Sequence, residues 1–340
     1  MNVNVGMDSK LNISVLLGGP SAEREVSLRS GAAVAAALRS RGHVVTEVDP
    51  RTDDWSLPPR TDVVFLALHG TYGEDGTVQR RLEELGVPYT GCGVEASRVG
   101  FDKLLTKERC LATGVPTPRF LTIPAPTASW PRGWNPPVVV KPLRQGSSVG
   151  LVFVERVSEW SAALAEAFLH DTEVLLEERI VGREATVGVL DGQALPLVEV
   201  RPRTGVYDYH SKYTAGATEY LCPAPFDAEV TARAQAVGLA AFQAIGGRDY
   251  ARVDVMIRPN GEVLTLEVNT LPGMTETSLF PKAAAAAGLG YAALCERMVE
   301  LALRRAPAPG LPATGPAQST SHESRVTNHA PHVALQPQTH

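Results

Sequence analysis

The sequence predicts an α/β protein of more than one domain. Three observations carry this. Short apolar runs alternate with helical stretches as far as residue 305, one β-hairpin can be read directly from its turn, and a glycine- and serine-rich turn joins two further strands. With 340 residues, 44% apolar and 20% charged, the chain can bury two or three cores. Lys and Arg number 32 against 37 Asp and Glu, a net charge of −5, which argues against a protein built to grip a nucleic-acid backbone. No apolar run approaches the about 20 residues of a membrane span, and the start, Met1 to Lys10, lacks the pattern of a signal peptide. Cys92, Cys110, Cys222 and Cys295 have neither C-x-x-C spacing nor scaffold density, so reduced thiols in a cytoplasmic protein are expected.

In chain order, Ile13–Leu17 reads as a strand ending at Gly18-Gly19-Pro20, followed by a helix from Glu25 to Arg41 that stops at Gly42. Strands Val44–Val48 and Val63–Leu68 and a helix Val78–Leu85 complete an N-terminal open-sheet domain, 1–93. A central domain, 94–186, holds a helix through Asp102–Lys107 and strands at Phe120–Ile123, Val138–Val140, Val152–Val154 and Val174–Glu178, with a helix near Glu159–His170. The third domain, 187–305, continues a strand from Glu184 to Leu190. It adds Ala194–Arg201, a helix Ala228–Ile245, the hairpin 250–269 and helices at Pro281–Ala287 and Tyr291–Arg305. Residues 306–340, rich in Pro, Ser and Thr, are expected to be a disordered tail. Its four histidines (His322, His329, His332, His340) are irregularly spaced and lack Cys or acidic co-ligands, which favours a solvated tail over a metal site.

The hairpin is the most informative stretch. Tyr250–Ile257 and Val263–Asn269 are β-prone runs around Asn260-Gly261, the dipeptide of a type I′ turn. With those two residues as the loop, Asp254 faces Glu267 and Arg252 faces Asn269, all four on one side. Val253, Val255, Leu266 and Val268 fall on the other. Opposed carboxylates repel, and oxygen-only donors suit Mg²⁺ or Mn²⁺ shared with nucleotide phosphates. The competing reading is a half-solvated strand face whose charge Arg252 spreads. Between two strands, Lys141-Pro142 leads into Gly146-Ser147-Ser148-Val149-Gly150, where backbone N–H groups, serine hydroxyls and a lysine fit phosphate. An ordinary turn reads the same way, and the segment is not a Walker A loop.

Together with Leu17–Ser27, Leu68-His69-Gly70, Gly73–Gly76, Asp102-Lys103, Tyr209–Tyr213, Glu267–Thr275 and Ser278–Pro281, these segments resemble the D-alanine–D-alanine ligase family of the ATP-grasp superfamily. The likeness runs from Leu16 to about Leu303. It implies an ATP-grasp fold, in which two mixed α+β domains sandwich ATP beside an N-terminal parallel-sheet domain. It also implies ligation of two D-alanines through an acyl phosphate for peptidoglycan synthesis, in a homodimer, with no nucleic-acid or membrane partner. By the resemblance Asp254, Glu267 and Asn269 hold two Mg²⁺ or Mn²⁺ ions. Lys103, Lys141, Ser148 and Lys212 meet ATP phosphates, and Glu177 and Glu184 meet adenine and ribose. Arg252 and the Gly273 N–H stabilise the tetrahedral intermediate.

Glu23 then receives the first D-alanine's ammonium, although a carboxylate there also suits a helix N-terminus. His69 lies near that substrate, and Ser278 and Leu279, at a helix start, take the second D-alanine's carboxylate. Segment 203–217 resembles a lid whose Tyr213 bonds toward Ser147 and Glu23. Tyrosine at that position accompanies the dipeptide product in the family, where D-lactate-using relatives carry histidine. D-Ala–D-lactate or D-Ala–D-Ser ligation and a non-catalytic nucleotide-binding regulator remain the alternatives.

Overall fold

The computed structural model describes residues 9–52, 54–203 and 216–305. The expected tail and nearly all of the expected lid, including Lys212 and Tyr213, lie outside the described residues. The two ends of segment 203–217 are joined, since the Arg203 N–H donates to the Ala217 carbonyl at 2.8 Å.

Strands β1 (Asn12–Leu16), β2 (Val44–Val48) and β3 (Val63–Leu66) form a parallel sheet in the order β2-β1-β3. All of β3 and most of β1 are buried, as strands covered on both faces must be. Helix α1 (Arg24–Ser40) ends before Gly42, whose φ of +91° is the left-handed terminator its position suggested. After α2 (Thr77–Leu85), the helix expected through Asp102–Lys107 forms as α4 (Lys103–Ala112), and a helix the sequence reading lacked, α3 (Val94–Phe101), precedes it. They part at Asp102, whose carboxylate caps α4 by accepting the N–H groups of Leu104 and Leu105 at 2.9 and 3.1 Å.

A second sheet is antiparallel in the order β4-β7-β5-β6. Its strands are β4 (Phe120–Ile123), β5 (Val138–Pro142), β6 (Val152–Val154) and β7 (Val174–Glu178). Helix α5 (Trp160–Phe168) buries Trp160 and Leu164 against Val138, Val140 and Leu176. The third sheet contains β8 (Arg183–Leu190), β9 (Gln193–Ala194), β10 (Val198–Pro202), β11 (Thr218–Leu221), β12 (Tyr250–Ile257) and β13 (Val263–Asn269). Its order is β11-β10-β8-β12-β13, with β9 on β8. Helix α6 (Ala228–Ala244) covers one face, and Gly238 sits where a Cβ would lie 2.6 Å from Val187. The last helices, α7 (Leu279–Ala286) and α8 (Tyr291–Arg305), return to α1. Leu294, Met298 and Leu301 there share a core with Val34, Ala35 and Leu38.

The expected hairpin forms, by a different route. Arg258 and Glu262 close a three-residue loop, Pro259-Asn260-Gly261. Within it the Gly261 N–H donates to the Arg258 carbonyl at 2.9 Å and only Gly261 is left-handed, at +81°. This is a type I turn with proline in its favoured second position, followed by a glycine, and not the type I′ turn expected. It pairs Ile257 with Val263 and Val255 with Thr265, a register that alone would bring Leu266 opposite Asp254. A β-bulge between Asp254 and Val255 takes up the extra residue, and beyond it Asp254 faces Glu267 and Arg252 faces Asn269. Leu266, expected on the opposite face, therefore shares the cleft wall with Glu267.

Candidate active site

The expected residues that the structure describes gather around two cavities. The first, of about 290 Å³, opens between the second and third sheets and is lined by Lys103, Lys141, Ser148, Glu177, Glu184, Asp254 and Glu267, with Met256 and Leu266 as apolar wall. The second, of about 550 Å³, is lined by Glu23, His69, Ser147, Arg252, Asn269, Gly273, Ser278 and Leu279. A small recess of about 30 Å³ bordered by Glu74, Gly146 and Glu267 lies against both groups.

The paired strands supply the partition. Arg252 donates from Nε and Nη2 to the two oxygens of Asp254, both at 2.8 Å, and Asn269 Nδ2 donates to Asp254 Oδ2 at 3.0 Å. Such a two-pronged contact fixes the guanidinium plane. Lys103 Nζ stands 4.0 Å from Glu267 and donates to the Gln145 carbonyl at 2.5 Å, tethering the base of the glycine loop. Burial pushes Lys103 below its ordinary pKa, with Glu267 opposing that and Lys141 adding to it. Among the described residues no three His, Cys, Asp or Glu side chains converge as a metal cage. Two carboxylates and an amide fit Mg²⁺ when phosphate oxygens complete its shell, which is how that ion is usually held.

In the glycine loop Ser147 and Ser148 are both left-handed, with φ of 51° and 59°. For residues with a side chain that costs about 1–3 kcal/mol each, and such strain gathers where ligands are held. The Ser147 hydroxyl donates to Glu23 Oε1. Glu23 stands at the cap position of α1 without capping it, so its carboxylate is turned to the cavity and not spent on the helix. His69 is buried with both ring nitrogens engaged, Nε2 with Ser30 Oγ at 3.0 Å and Nδ1 with the Leu271 carbonyl at 3.2 Å. Ser278 leaves the first turn of α7 uncapped, its hydroxyl accepting the Thr275 N–H at 3.1 Å. Gly273 comes so near that a Cβ would lie 3.0 Å from Ser278 Oγ.

Glu177 has less freedom than an adenine contact suggests. Burial would raise its pKa, yet Lys141 and Lys107 outweigh burial and hold it below the usual range; both its oxygens face lysines. Glu74 falls within the loop motif Gly73–Gly76. It accepts the Gly70 N–H at 2.9 Å, and burial, reinforced by Glu23, pushes its carboxyl up to about 8. Sequence offered no signal for that, because its neighbours come from distant segments.

Residues 48–92 match the family model for the D-ala D-ala ligase N-terminus and residues 130–300 that for the C-terminus. The D-alanine–D-alanine ligase of Methylacidiphilum infernorum is 45% identical over 294 residues, covering 86% of this chain and 96% of that one. That of Syntrophotalea carbinolica is 48% identical over 289 residues, 84% and 94% of the two chains. Among solved structures, Bacillus anthracis D-alanine–D-alanine ligase complexed with ATP matches with TM-score 0.75 at 32% identity, covering 86% of this chain and 98% of that chain. The Coxiella burnetii enzyme matches with TM-score 0.75 at 28% identity, covering 87% and 94%. These relatives are spanned almost from end to end, and their shared fold is the ATP-grasp arrangement described above, so the chain belongs to the D-alanine–D-alanine ligase family.

Proposed function

We propose that this chain ligates two D-alanines to D-alanyl-D-alanine with ATP, supplying a peptidoglycan precursor. The observation that supports it best is the partition: Asp254 and Glu267 face one cavity while Arg252 and Asn269, from the same two strands, face the other. A carboxylate is a poor electrophile with a poor leaving group, and phosphorylation repairs both faults. The γ-phosphoryl passes from ATP to the first D-alanine's carboxylate, giving ADP and an acyl phosphate. The second D-alanine's amine then adds to the carbonyl, and phosphate departs as the amide forms.

Lys103, Lys141, Ser148 and Lys212 bind phosphate oxygens in this reading, and Glu184 and the Glu177 region meet the nucleoside. Asp254, Glu267 and Asn269 hold Mg²⁺ or Mn²⁺, which neutralises phosphate charge when bound. Arg252, held flat by Asp254, and the Gly273 N–H stabilise the tetrahedral oxyanion. Glu23, aligned by Ser147, takes the first ammonium beside His69, and the free first turn of α7 at Ser278 and Leu279 takes the second carboxylate. Tyr213 closes over Ser147 and Glu23 and favours the dipeptide over D-Ala–D-lactate. A homodimer in the cytoplasm completes the proposal; among the described residues no helix is long and apolar enough to cross a membrane.

Phosphate release from ATP should depend on both D-alanine and Mg²⁺. Turnover with L-alanine and none with D-alanine would sink the reading. Competing D-lactate and D-serine, with products identified by mass spectrometry, decide the acceptor.

A further inference from the structure

Lys107 has no part in the chemistry above, yet its side chain is buried more completely than that of Lys103 or Lys141, with the residue only 1% exposed. It follows Lys103 by one turn of α4, on the same face, but does not reach the nucleotide cavity. A buried ammonium is tolerated only when it is fully paired, and this one is. It forms an ion pair with Glu177 Oε2, donates to Thr117 Oγ1 at 2.7 Å and lies 5.3 Å from the centre of the Phe120 ring. The other Glu177 oxygen accepts from Lys141 Nζ at 2.9 Å, and both Glu177 and Lys141 line the cavity. On the far side, the Thr117 hydroxyl donates to the Thr265 carbonyl at 2.9 Å, and the Thr265 N–H donates to the Pro116 carbonyl at 2.8 Å. One unbroken chain of polar contacts thus runs from β13, two residues before Glu267, through Lys107 to the opposite wall of the cleft.

We propose that Lys107 is a positioning residue for ATP: it holds the Glu177 carboxylate, and through it the Lys141 ammonium, in the orientation that meets the nucleotide. This rests on the nucleotide reading of the first cavity. The charged groups facing Glu177 are Lys103 and Lys107 from α4 and Lys141 from β5, with the Cys110 thiol beside Lys107. Burial alone drives Glu177 toward its neutral form, and two lysines reverse that. With Lys107 gone, the carboxyl rises, takes a proton as pH falls, and releases Lys141 from its counter-ion. Wild type, with Glu177 held below the ordinary range, shows no such change near neutrality.

The test compares wild type, Lys107→Met, Lys107→Arg, Glu177→Gln and the Lys107→Met/Glu177→Gln double variant. Mg·ADP binding is measured by calorimetry from pH 5.5 to 8.5 and steady-state kinetics at each pH. Lys107→Met should weaken Mg·ADP binding and raise KM for ATP about tenfold or more, increasingly so toward low pH, while kcat and KM for D-alanine stay within about twofold. Lys107→Arg should recover part of the loss, and the double variant should bind no worse than Glu177→Gln alone. A folded Lys107→Met protein that binds Mg·ADP like wild type at every pH overturns the proposal. So does one whose kcat and both KM values change together without pH dependence, the mark of a merely structural lysine. Should the methionine variant fail to fold, Lys107→Gln, which keeps a donor for Thr117, faces the same criteria. Wild type failing to bind Mg·ADP would instead remove the nucleotide reading, and this proposal with it.

Discussion

Replacing Glu267 by Gln separates the metal from the fold, because it should leave ligand-free stability nearly unchanged while metal-dependent stabilisation and activity fall. Among the contacts of Glu267 that the change removes without ligand, the two with charged neighbours across the strand and on α4 are small and opposed. Glu267 stands directly across from Asp254, and like charges so placed cost about 0.2–1 kcal/mol. Its contact with Lys103 is 4.0 Å long and its side chain is about one-third exposed, at 32%, so that ion pair is worth at most about 1 kcal/mol. The ligand-free variant should therefore unfold within about 1 kcal/mol of wild type. With Mg·ADP at about a hundred times its dissociation constant, wild type gains about 2.7 kcal/mol, and the variant should lose most of that. Turnover should fall by at least about 10²-fold, since charge stabilisation by a bound metal is worth several kcal/mol. Thermal melts with and without Mg·ADP, run beside a coupled ATPase assay, give all three numbers. A variant turning over near the wild-type rate, or wild-type melts indifferent to Mg·ADP, would refute the metal assignment.

Other substitutions probe the second cavity and the fold. A Cβ at Gly146 would lie 2.8 Å from Glu23 Oε2, so Gly146→Ala should displace that carboxylate. It should lower kcat/KM for D-alanine about 10- to 100-fold, with a melting temperature close to wild type. Glu74, held to about 8 by burial, is protonated in the fold where the unfolded chain has lost its proton. Its contribution to stability is therefore complete below the unfolded value and drains away as pH rises through about 8. Glu74→Gln should flatten that part of the pH–stability curve in urea titrations, and an unchanged slope would contradict the burial argument. Met298, fully buried between α8 and α1, should cost about 2–5 kcal/mol when cut to Ala, read from the shift in denaturation midpoint.

Much of the fold was legible because it is local. The buried strand β3 is an unbroken apolar run, β1 keeps Ile13, Val15 and Leu16 around Ser14, and Gly42 stops α1 where its left-handed backbone allows. The break at Asp102 is legible too, in a carboxylate standing before Lys-Leu-Leu as a helix cap. Lys107 and Glu74 were not. A lysine one helical turn after another reads as a solvated face, and only β7, far along the chain, brings Glu177 against it. Glu74 sits in a short polar loop like many others, and its proton is retained because distant segments bury it and bring Glu23 and Glu267 near it.

The hairpin shows why the central expectation survived a wrong turn. Side chains alternate with a period of two, so a loop one residue longer than expected should have sent both Glu267 and Asn269 to the far side. A single bulge adds the one residue that restores the phase, and it does so at Leu266, directly before the residues whose direction matters. That placement has a consequence a regular ribbon could not match: Leu266 and Glu267, adjacent in sequence, both line the first cavity. A strict alternation would offer that cavity a carboxylate or an apolar wall at this point, but not both. Deleting Leu266 should therefore keep Asp254 opposite Glu267 while stripping apolar surface from the cleft. Mg·ADP binding should weaken while the metal ligands stay in register, and loss of the metal-dependent stabilisation as well would mean that the bulge, and not the pairing, sets the carboxylates.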